Sequence, residues 1–202
     1  MITNRLRKQS VFLVSEVNQT FNHLSLGMAI INIEFKAKVT DIGFAENKLL
    51  TLNPEYKGED NQTDTYFSVN EGRLKLREGN IENALIWYKR EDIAGVKRSD
   101  ILLYKHSPDK ALKDILTKLH GVKVIVDKKR RIWFIDNVKF HFDEVKGLGS
   151  FIEVEAIDNN GDIGIEKLEE QCNFYVTFFG LNHGDFLKES YSDILLLKDG
   201  QL

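Results

Sequence analysis

Cysteine, proline and long apolar runs are scarce in this chain of 202 residues. The single cysteine, Cys172, excludes an intramolecular disulfide framework and is typical of a reducing compartment, so we expect a cytoplasmic protein. No apolar run approaches the roughly 20 residues that a membrane-spanning helix needs, so no membrane partner is expected. The formal net charge of −3 argues against nucleic-acid binding by a broadly basic surface, although it allows a local cationic cavity.

What the chain does contain is charge at every second position of several strand-like segments. Glu34, Lys36 and Lys38 alternate with apolar residues, and side chains at this spacing share one face of a strand. A solvated face explains one such strand but explains several poorly. We therefore predict that these faces line one closed barrel, whose cations and few carboxylates would suit a polyphosphate with a divalent metal. The other members of the pattern are Arg73, Lys75 and Arg77; Lys128 and Arg130; Lys139, His141 and Asp143; and Glu153 and Glu155.

Strand and helix patterns together predict an α+β fold. Strand patterns occupy 29–40, 62–70, 73–78, 83–91, 122–128, 131–136, 138–144 and 150–157, with a further short strand at 191–197. Turn signals between several of them predict antiparallel pairing. Helical periodicity predicts helices at 41–51, 108–120 and 163–179, the second with Ser107 as its cap and Pro108 in its first turn. Cys172 falls on the apolar face of the third helix, where we expect a packing residue.

The chain shows no repeat, low-complexity tract or linker, which predicts one domain at 29–202. Residues 1–28 are then an N-terminal arm or extension, disordered or loosely attached. An organellar transit peptide and a translation start at Met28 remain open as alternatives.

The motif Asn-Ile-Glu-Phe-Lys-Ala-Lys at 32–38 resembles the N-terminal signature of the CYTH superfamily, the triphosphate tunnel metalloenzymes. That signature is Glu-x-Glu-x-Lys; here Glu34 and Lys36 match it, and Asn32 replaces the first glutamate. Further matches follow in the family's order at 62–67, 72–78, 86–90, 126–130, 141–145, 148–155 and 190–193. Each match is weak alone, but the ordered series is specific and covers most of 29–197. The chain is most similar to the class IV adenylyl cyclase-like branch.

The resemblance implies a closed eight-stranded antiparallel β-barrel with flanking helices, whose tunnel binds a small-molecule triphosphate together with Mg²⁺ or Mn²⁺. Carboxylates are hard oxygen ligands for these ions, and lysine and arginine bind phosphate oxygens. Carried over position by position, the metal ligands are Glu34, Glu153 and Glu155, with Asp143 as a further candidate. The substrate-binding residues are Lys36, Lys75, Arg77, Arg90, Lys128 and Arg130. The catalytic set is Glu34, Lys36 and Asp143.

Several of these positions leave alternatives open. Asn32 offers an amide oxygen without negative charge, which weakens the case for a second tightly bound metal. His141 is expected to be a hydrogen-bond partner of a ligand rather than a ligand, because no other histidine sits at ligand spacing. Lys36 either accepts a proton from the attacking group or stays charged and holds phosphate. Arg131, next to Arg130, is expected to point away from the tunnel.

Three functions are compatible with this pattern. The first is an adenylyl cyclase, in which the ribose 3′-hydroxyl of ATP attacks the α-phosphorus and gives cyclic AMP and pyrophosphate. The second is a triphosphatase that hydrolyses thiamine triphosphate, inorganic triphosphate or a nucleotide. The third is a non-catalytic module that binds polyphosphate or nucleotide, and the filled charged positions argue against it. No adenine-specific signature is present, and the oligomeric state, monomer or homodimer, is left open.

Overall fold

Eight antiparallel strands close into a barrel in the computed structural model, which describes residues 30–90 and 92–200. Around the barrel the strands follow the order β1-β5-β4-β3-β2-β6-β7-β8, and β8 closes against β1. The strands are β1 (Ile30–Lys38), β2 (Glu55–Phe67), β3 (Arg73–Glu78), β4 (Ala84–Arg90), β5 (Lys97–Lys105), β6 (Val122–Ile135), β7 (Val138–Val145) and β8 (Gly149–Asp158). The predicted α+β class and closed antiparallel barrel are confirmed.

Four α-helices belong to the described part of the chain. They are α1 (Ile42–Leu50), α2 (Lys110–His120), α3 (Ile165–Phe179) and α4 (Tyr191–Lys198), and a short 3₁₀ helix (His183–Asp185) precedes α4. The predicted cap of α2 is wrong, because Asp109 rather than Ser107 accepts the capping hydrogen bond from the amide of Ala111, at 2.8 Å. α2 and α3 end at residues 120 and 179 as predicted, and Gly121 and Gly180 follow them with positive φ.

The apolar faces of several strands point outward, toward the helices. Phe35 on β1 and Phe140 and Phe142 on β7 are fully buried, and they form one core with Leu168 and Cys172 of α3. Truncating a buried aromatic side chain of this kind costs about 3–5 kcal/mol. Since side chains alternate along a strand, burying the apolar face outside the barrel turns the charged face inward. Cys172 is a packing residue, as predicted, and burial raises the pKa of its thiol to about 12.

Two strand boundaries differ from the predictions. β6 is one continuous strand rather than two, and β2 begins at Glu55 rather than at residue 62. The charged run at 128–131 interrupts the apolar pattern, but Lys128 and Arg130 are buried inside the barrel, whereas Lys129 and Arg131 lie on the other face. Backbone pairing of β6 with β2 and β7 continues through this run.

Two further elements were missed or misassigned. β5 was not predicted, because Leu102, Leu103 and Tyr104 follow one another without alternation; the strand forms by pairing with β1 and β4. The tail at 191–197 is the helix α4, not a strand. Ser190 and Asp193 exchange hydrogen bonds between their side chains and backbone amides, and this capping box starts the helix.

The prediction for residues 1–28 lies outside the described residues. No helix within residues 30–90 and 92–200 combines the length and the apolar character that crossing a membrane requires.

Candidate active site

Charged side chains from β1, β3, β4, β6 and β8 line a cavity of about 630 Å³ inside the barrel. All of the sequence-predicted phosphate ligands face it: Lys36, Lys75, Arg77, Arg90, Lys128 and Arg130. The predicted metal ligands Glu34, Glu153 and Glu155 face it too, whereas Asp143 lies behind Arg130 and does not line it. Alternation along each strand accounts for this convergence, because residues two apart share the inner face.

Three cations share the buried carboxylate of Asp64. Lys128, Arg77 and Lys75 approach its oxygens at 2.7, 2.8 and 3.1 Å, respectively. Burial alone would raise the pKa of Asp64, but Arg77, Lys128 and Lys75 hold it well below its usual range. Burial lowers the pKa of Lys128 to about 7, with the neighbouring cations adding to the effect and Asp64 opposing it. This part of the cavity therefore carries an excess of positive charge.

A second ion-pair group joins Arg130, Asp143, Glu153 and Lys36. The Arg130 guanidinium contacts both oxygens of Asp143, at 2.6 and 2.5 Å, and one oxygen of Glu153, at 2.6 Å. Lys36 Nζ donates to the other Glu153 oxygen at 2.6 Å and lies 4.4 Å above the ring of Tyr191. Despite burial, Lys36 and Arg130 hold the pKa of Glu153 well below its usual range. Charges in this group balance.

Glu34 is paired with Arg90. The Asn32 amide nitrogen also donates to Glu34, at 3.2 Å, while the Asn32 amide oxygen is buried and has no hydrogen-bond partner among the described residues. The residue that replaces the family's first glutamate therefore leaves a hard oxygen donor beside Glu34.

Glu155 differs from the other carboxylates of the cavity. No lysine or arginine of the described residues lies within ion-pair distance of it, and its nearest charged-group contact is His141 Nδ1 at 3.8 Å. Burial and the carboxylates of Glu153 and Glu34 raise the pKa of Glu155 to about 7. Burial, with Arg130 and Lys139, lowers the pKa of His141 to about 3, so its imidazole is neutral at neutral pH.

The CYTH domain description matches residues 31–177, which span most of the chain: all eight barrel strands except Ile30, and α3 as far as residue 177. The chain belongs to the CYTH family. The resemblance carried by the sequence motifs is thereby confirmed.

Relatives of this CYTH protein include an adenylate cyclase, CyaB from Aeromonas hydrophila, which is 26% identical over 167 residues, covering 79% of this chain and 85% of the relative. Among solved structures, a candidate adenylate cyclase from Vibrio parahaemolyticus superposes with a TM-score of 0.67 at 20% identity, over 82% of this chain and 97% of that one. A candidate adenylyl cyclase from Hippeastrum, described as having a dominant triphosphatase activity, gives a TM-score of 0.55 at 12% identity, over 86% and 97%. The two structural matches establish a shared fold.

The donor atoms of this CYTH barrel fit a hard divalent cation. Ligand atoms of His141, Glu153 and Glu155 all lie within 4.8 Å of one another. Carboxylate and amide oxygens are the donors that Mg²⁺ and Mn²⁺ take in proteins. The raised pKa of Glu155 reflects its burial and, in addition, repulsion from Glu153 and Glu34, and a bound cation would oppose both effects.

Charged residues of the lining that were not assigned a site role from the sequence include Asp64 and Glu82, whereas Lys139 was predicted to face the barrel without a role. Asp64 alternates with Gln62 and Tyr66 in the motif at 62–67, so its inward position could have been predicted. Glu82 lies in the turn before β4 and pairs with Arg77 and Lys139. No periodic signal exists in a turn, so only the folded structure identifies Glu82.

The two ends of the CYTH tunnel differ. Tyr191 of α4 covers one end, where its ring packs on Phe151 near the start of β8 and its hydroxyl donates to Asp143 at 2.9 Å. At the opposite end the cavity opens between partly exposed apolar side chains, among them Leu103, Phe134 and Ile157 near the ends of β5, β6 and β8, and polar ones, among them Lys57, Lys105 and His106.

Proposed function

We propose that this CYTH protein is a metal-dependent adenylyl cyclase of the class IV type, which converts ATP into cyclic AMP and pyrophosphate. Its relationship to the Aeromonas adenylate cyclase supports the choice of reaction. The charge distribution of the tunnel supports the choice of a metal-bound triphosphate.

The observation that carries the proposal is a separation of charge inside one cavity. Four cations, Lys75, Arg77, Lys128 and Lys139, pair with only two carboxylates, Asp64 and Glu82, which leaves surplus positive charge there. Glu155 has no lysine or arginine partner among the described residues, which leaves surplus negative charge. A triphosphate compensates the first group, and a divalent cation compensates the second.

When a triphosphate binds, the lysines and arginines of the tunnel would exchange their carboxylate partners for phosphate oxygens. The cations of the tunnel are already held in place by carboxylates, so triphosphate oxygens would replace carboxylate oxygens in contacts of similar geometry. Catalysis of phosphoryl transfer rests largely on such positioning and charge neutralisation. Arg77 and Arg130 are suited to two-point contact with phosphate oxygens, and Lys75 and Lys128 act as point charges.

Glu34, Glu153 and Glu155 would hold the cation. When bound, Mg²⁺ or Mn²⁺ neutralises charge that develops on the phosphoryl oxygens. Asp143 binds Arg130 and Tyr191 with its two oxygens, so its contribution in this proposal is to position Arg130.

The apolar side chains at the cavity mouth support a substrate with an organic group beyond its phosphates. Leu103, Phe134 and Ile157 offer surface against which a nucleoside can pack. In the cyclisation the ribose 3′-oxygen bonds to the α-phosphorus, the bond from that phosphorus to the bridging oxygen breaks, and pyrophosphate leaves. Lys36 is the candidate acceptor of the hydroxyl proton. Hydrolysis of the same bound triphosphate by water is the alternative reaction, because the same cations serve both.

The purified protein should be incubated with ATP, thiamine triphosphate and inorganic triphosphate, each with Mg²⁺ or Mn²⁺, and the products separated by chromatography. We expect cyclic AMP and pyrophosphate in equal amounts from ATP. If inorganic phosphate forms without cyclic AMP, the protein is a triphosphatase rather than a cyclase. If no substrate gives a product, the protein is a non-catalytic binding module.

Glu155→Gln provides the matched control for contaminating activities, because it removes a proposed metal ligand with little change in shape. Product formation that falls in this variant is thereby assigned to the tunnel.

A further inference from the structure

His141 is a buried histidine on the inner face of β7, beside the carboxylates of β8. Its side chain is 1% exposed, and neither ring nitrogen has a hydrogen-bond partner among the described residues. Nδ1 lies 3.4 Å from Glu153 Oε2 and 3.8 Å from Glu155 Oε1. The ring is therefore directed at the two carboxylates without forming an ordinary hydrogen bond to either.

A buried polar group without a partner is costly, and most such groups in folded proteins are satisfied. A role in orienting Glu153 would need a hydrogen bond to that carboxylate, yet His141 makes none, and Lys36 and Arg130 already hold the two Glu153 oxygens in place at 2.6 Å. A cation between His141, Glu153 and Glu155 would satisfy the imidazole and the unpaired carboxylate together, since their donor atoms lie within 4.8 Å of one another.

We infer that His141 is a direct nitrogen ligand of the divalent cation, together with Glu153 and Glu155, and that it makes the site prefer Mn²⁺ to Mg²⁺. This inference rests on the metal dependence of the proposed function. Mg²⁺ takes oxygen ligands almost exclusively, whereas imidazole suits transition metals. One nitrogen among oxygen donors keeps a site acceptable to Mn²⁺ while lowering its affinity for Mg²⁺ relative to an all-oxygen site.

The test is electron spin echo spectroscopy of Mn²⁺ bound to the wild-type protein, which detects nitrogen nuclei coupled to the ion. We expect ¹⁴N coupling that is replaced by ¹⁵N coupling when only histidine is labelled with ¹⁵N. This measurement needs no variant, so a folding defect cannot imitate its result. Bound Mn²⁺ without histidine coupling would overturn the inference and leave the proposed function intact. Absence of Mn²⁺ binding would also overturn the inference, and the product assay with Mg²⁺ decides the proposed function separately.

Calorimetric titration of His141→Ala with each ion gives the selectivity. Loss of the nitrogen ligand should raise the Kd for Mn²⁺ about tenfold or more, on the scale of disrupting a metal site's immediate surroundings, and should change the Kd for Mg²⁺ much less. His106→Ala is the control, because His106 lines the same cavity but is not one of the clustered residues. Equal losses for Mn²⁺ and Mg²⁺ in His141→Ala, or equal losses in both variants, would contradict the assignment.

Discussion

Arg130 on β6 and Asp143 on β7 face each other in register and form a buried two-point ion pair, with nitrogen–oxygen distances of 2.6 and 2.5 Å. Asp143 is wholly inaccessible, so the guanidinium reaches the cavity while its partner stays behind it. The pair fixes the direction in which Arg130 projects toward a substrate.

Asp143→Ala should destabilise the protein strongly, by about 3–5 kcal/mol, because it leaves the buried Arg130 charge without its principal partner. Glu144→Ala is the matched control on the next residue, since Glu144 is exposed and pairs with Arg131 on the outer face. That variant should cost no more than about 1 kcal/mol. Urea unfolding measures both, and equal costs would mean that the buried pair adds nothing beyond a surface pair.

Lys75→Gln should weaken triphosphate binding by about 1.5–3 kcal/mol, the cost of a lost hydrogen bond to a charged group. Its folding stability should change little, because Arg77 and Lys128 continue to neutralise Asp64. Titration with a non-hydrolysable triphosphate gives the affinity. Lys129→Gln, on the outer face of β6, is the control and should bind normally. Identical triphosphate affinities for the two variants would show that Lys75 does not contribute to binding.

Glu155→Gln should cut turnover roughly a hundredfold or more in saturating Mg²⁺ or Mn²⁺, because it removes an oxygen donor of the proposed metal site. The same variant should be as stable as the wild type or more so in chelator, since it removes a carboxylate that lacks a lysine or arginine partner among the described residues. Activity assays and thermal unfolding in chelator test the two parts separately. Wild-type turnover in this variant would show that catalysis does not require Glu155. A large loss of stability would instead indicate a structural role.

Triphosphate binding should take up a proton at Lys128. The pKa of this lysine is about 7 in the free protein, and the negative phosphates must raise it in the complex. The complex then holds more protons than the free protein, so affinity falls as pH rises through 7. At that pH we expect an uptake of about half a proton from this residue. Calorimetry in buffers of different ionisation enthalpy measures it.

Lys128→Arg supplies the comparison for this proton uptake, because arginine keeps the charge and does not titrate near neutral pH. The difference between wild type and variant also cancels protons taken up by the triphosphate itself. Equal uptake by the two proteins would show that Lys128 is charged throughout.

Lys36→Arg should cut turnover far more than about tenfold with triphosphate affinity retained, because an arginine can still contact Glu153 and lie over the ring of Tyr191 but cannot accept a proton near neutral pH. Steady-state kinetics and triphosphate titration should be measured together. Turnover within about tenfold of the wild type would rule out Lys36 as the proton acceptor and leave it a phosphate ligand.

Much of the fold and of the candidate site follows from local sequence pattern. Alternation in β1, β3, β7 and β8 predicts which residues share a face, and the ordered motifs identify the CYTH family. The ends of α2 and α3 follow from Gly121 and Gly180, because left-handed backbone favours glycine. A helix cap explains why the strand predicted at 191–197 was wrong. Ser190 and Asp193 carried a helix-start signal that the prediction of a strand at 191–197 overlooked.

The sequence by itself therefore determined which charged side chains of a predicted strand share a face, because alternation is a property of a single strand. Only the tertiary structure decided which charges meet. Lys128 and Asp64 are 64 positions apart, and Lys36 and Glu153 are 117 positions apart. The existence of β5, the three cations on Asp64, the place of Glu82 and the approach of His141 to Glu153 and Glu155 all depend on barrel closure. Closure sets the register between strands that are distant in sequence, and no local pattern contains that register.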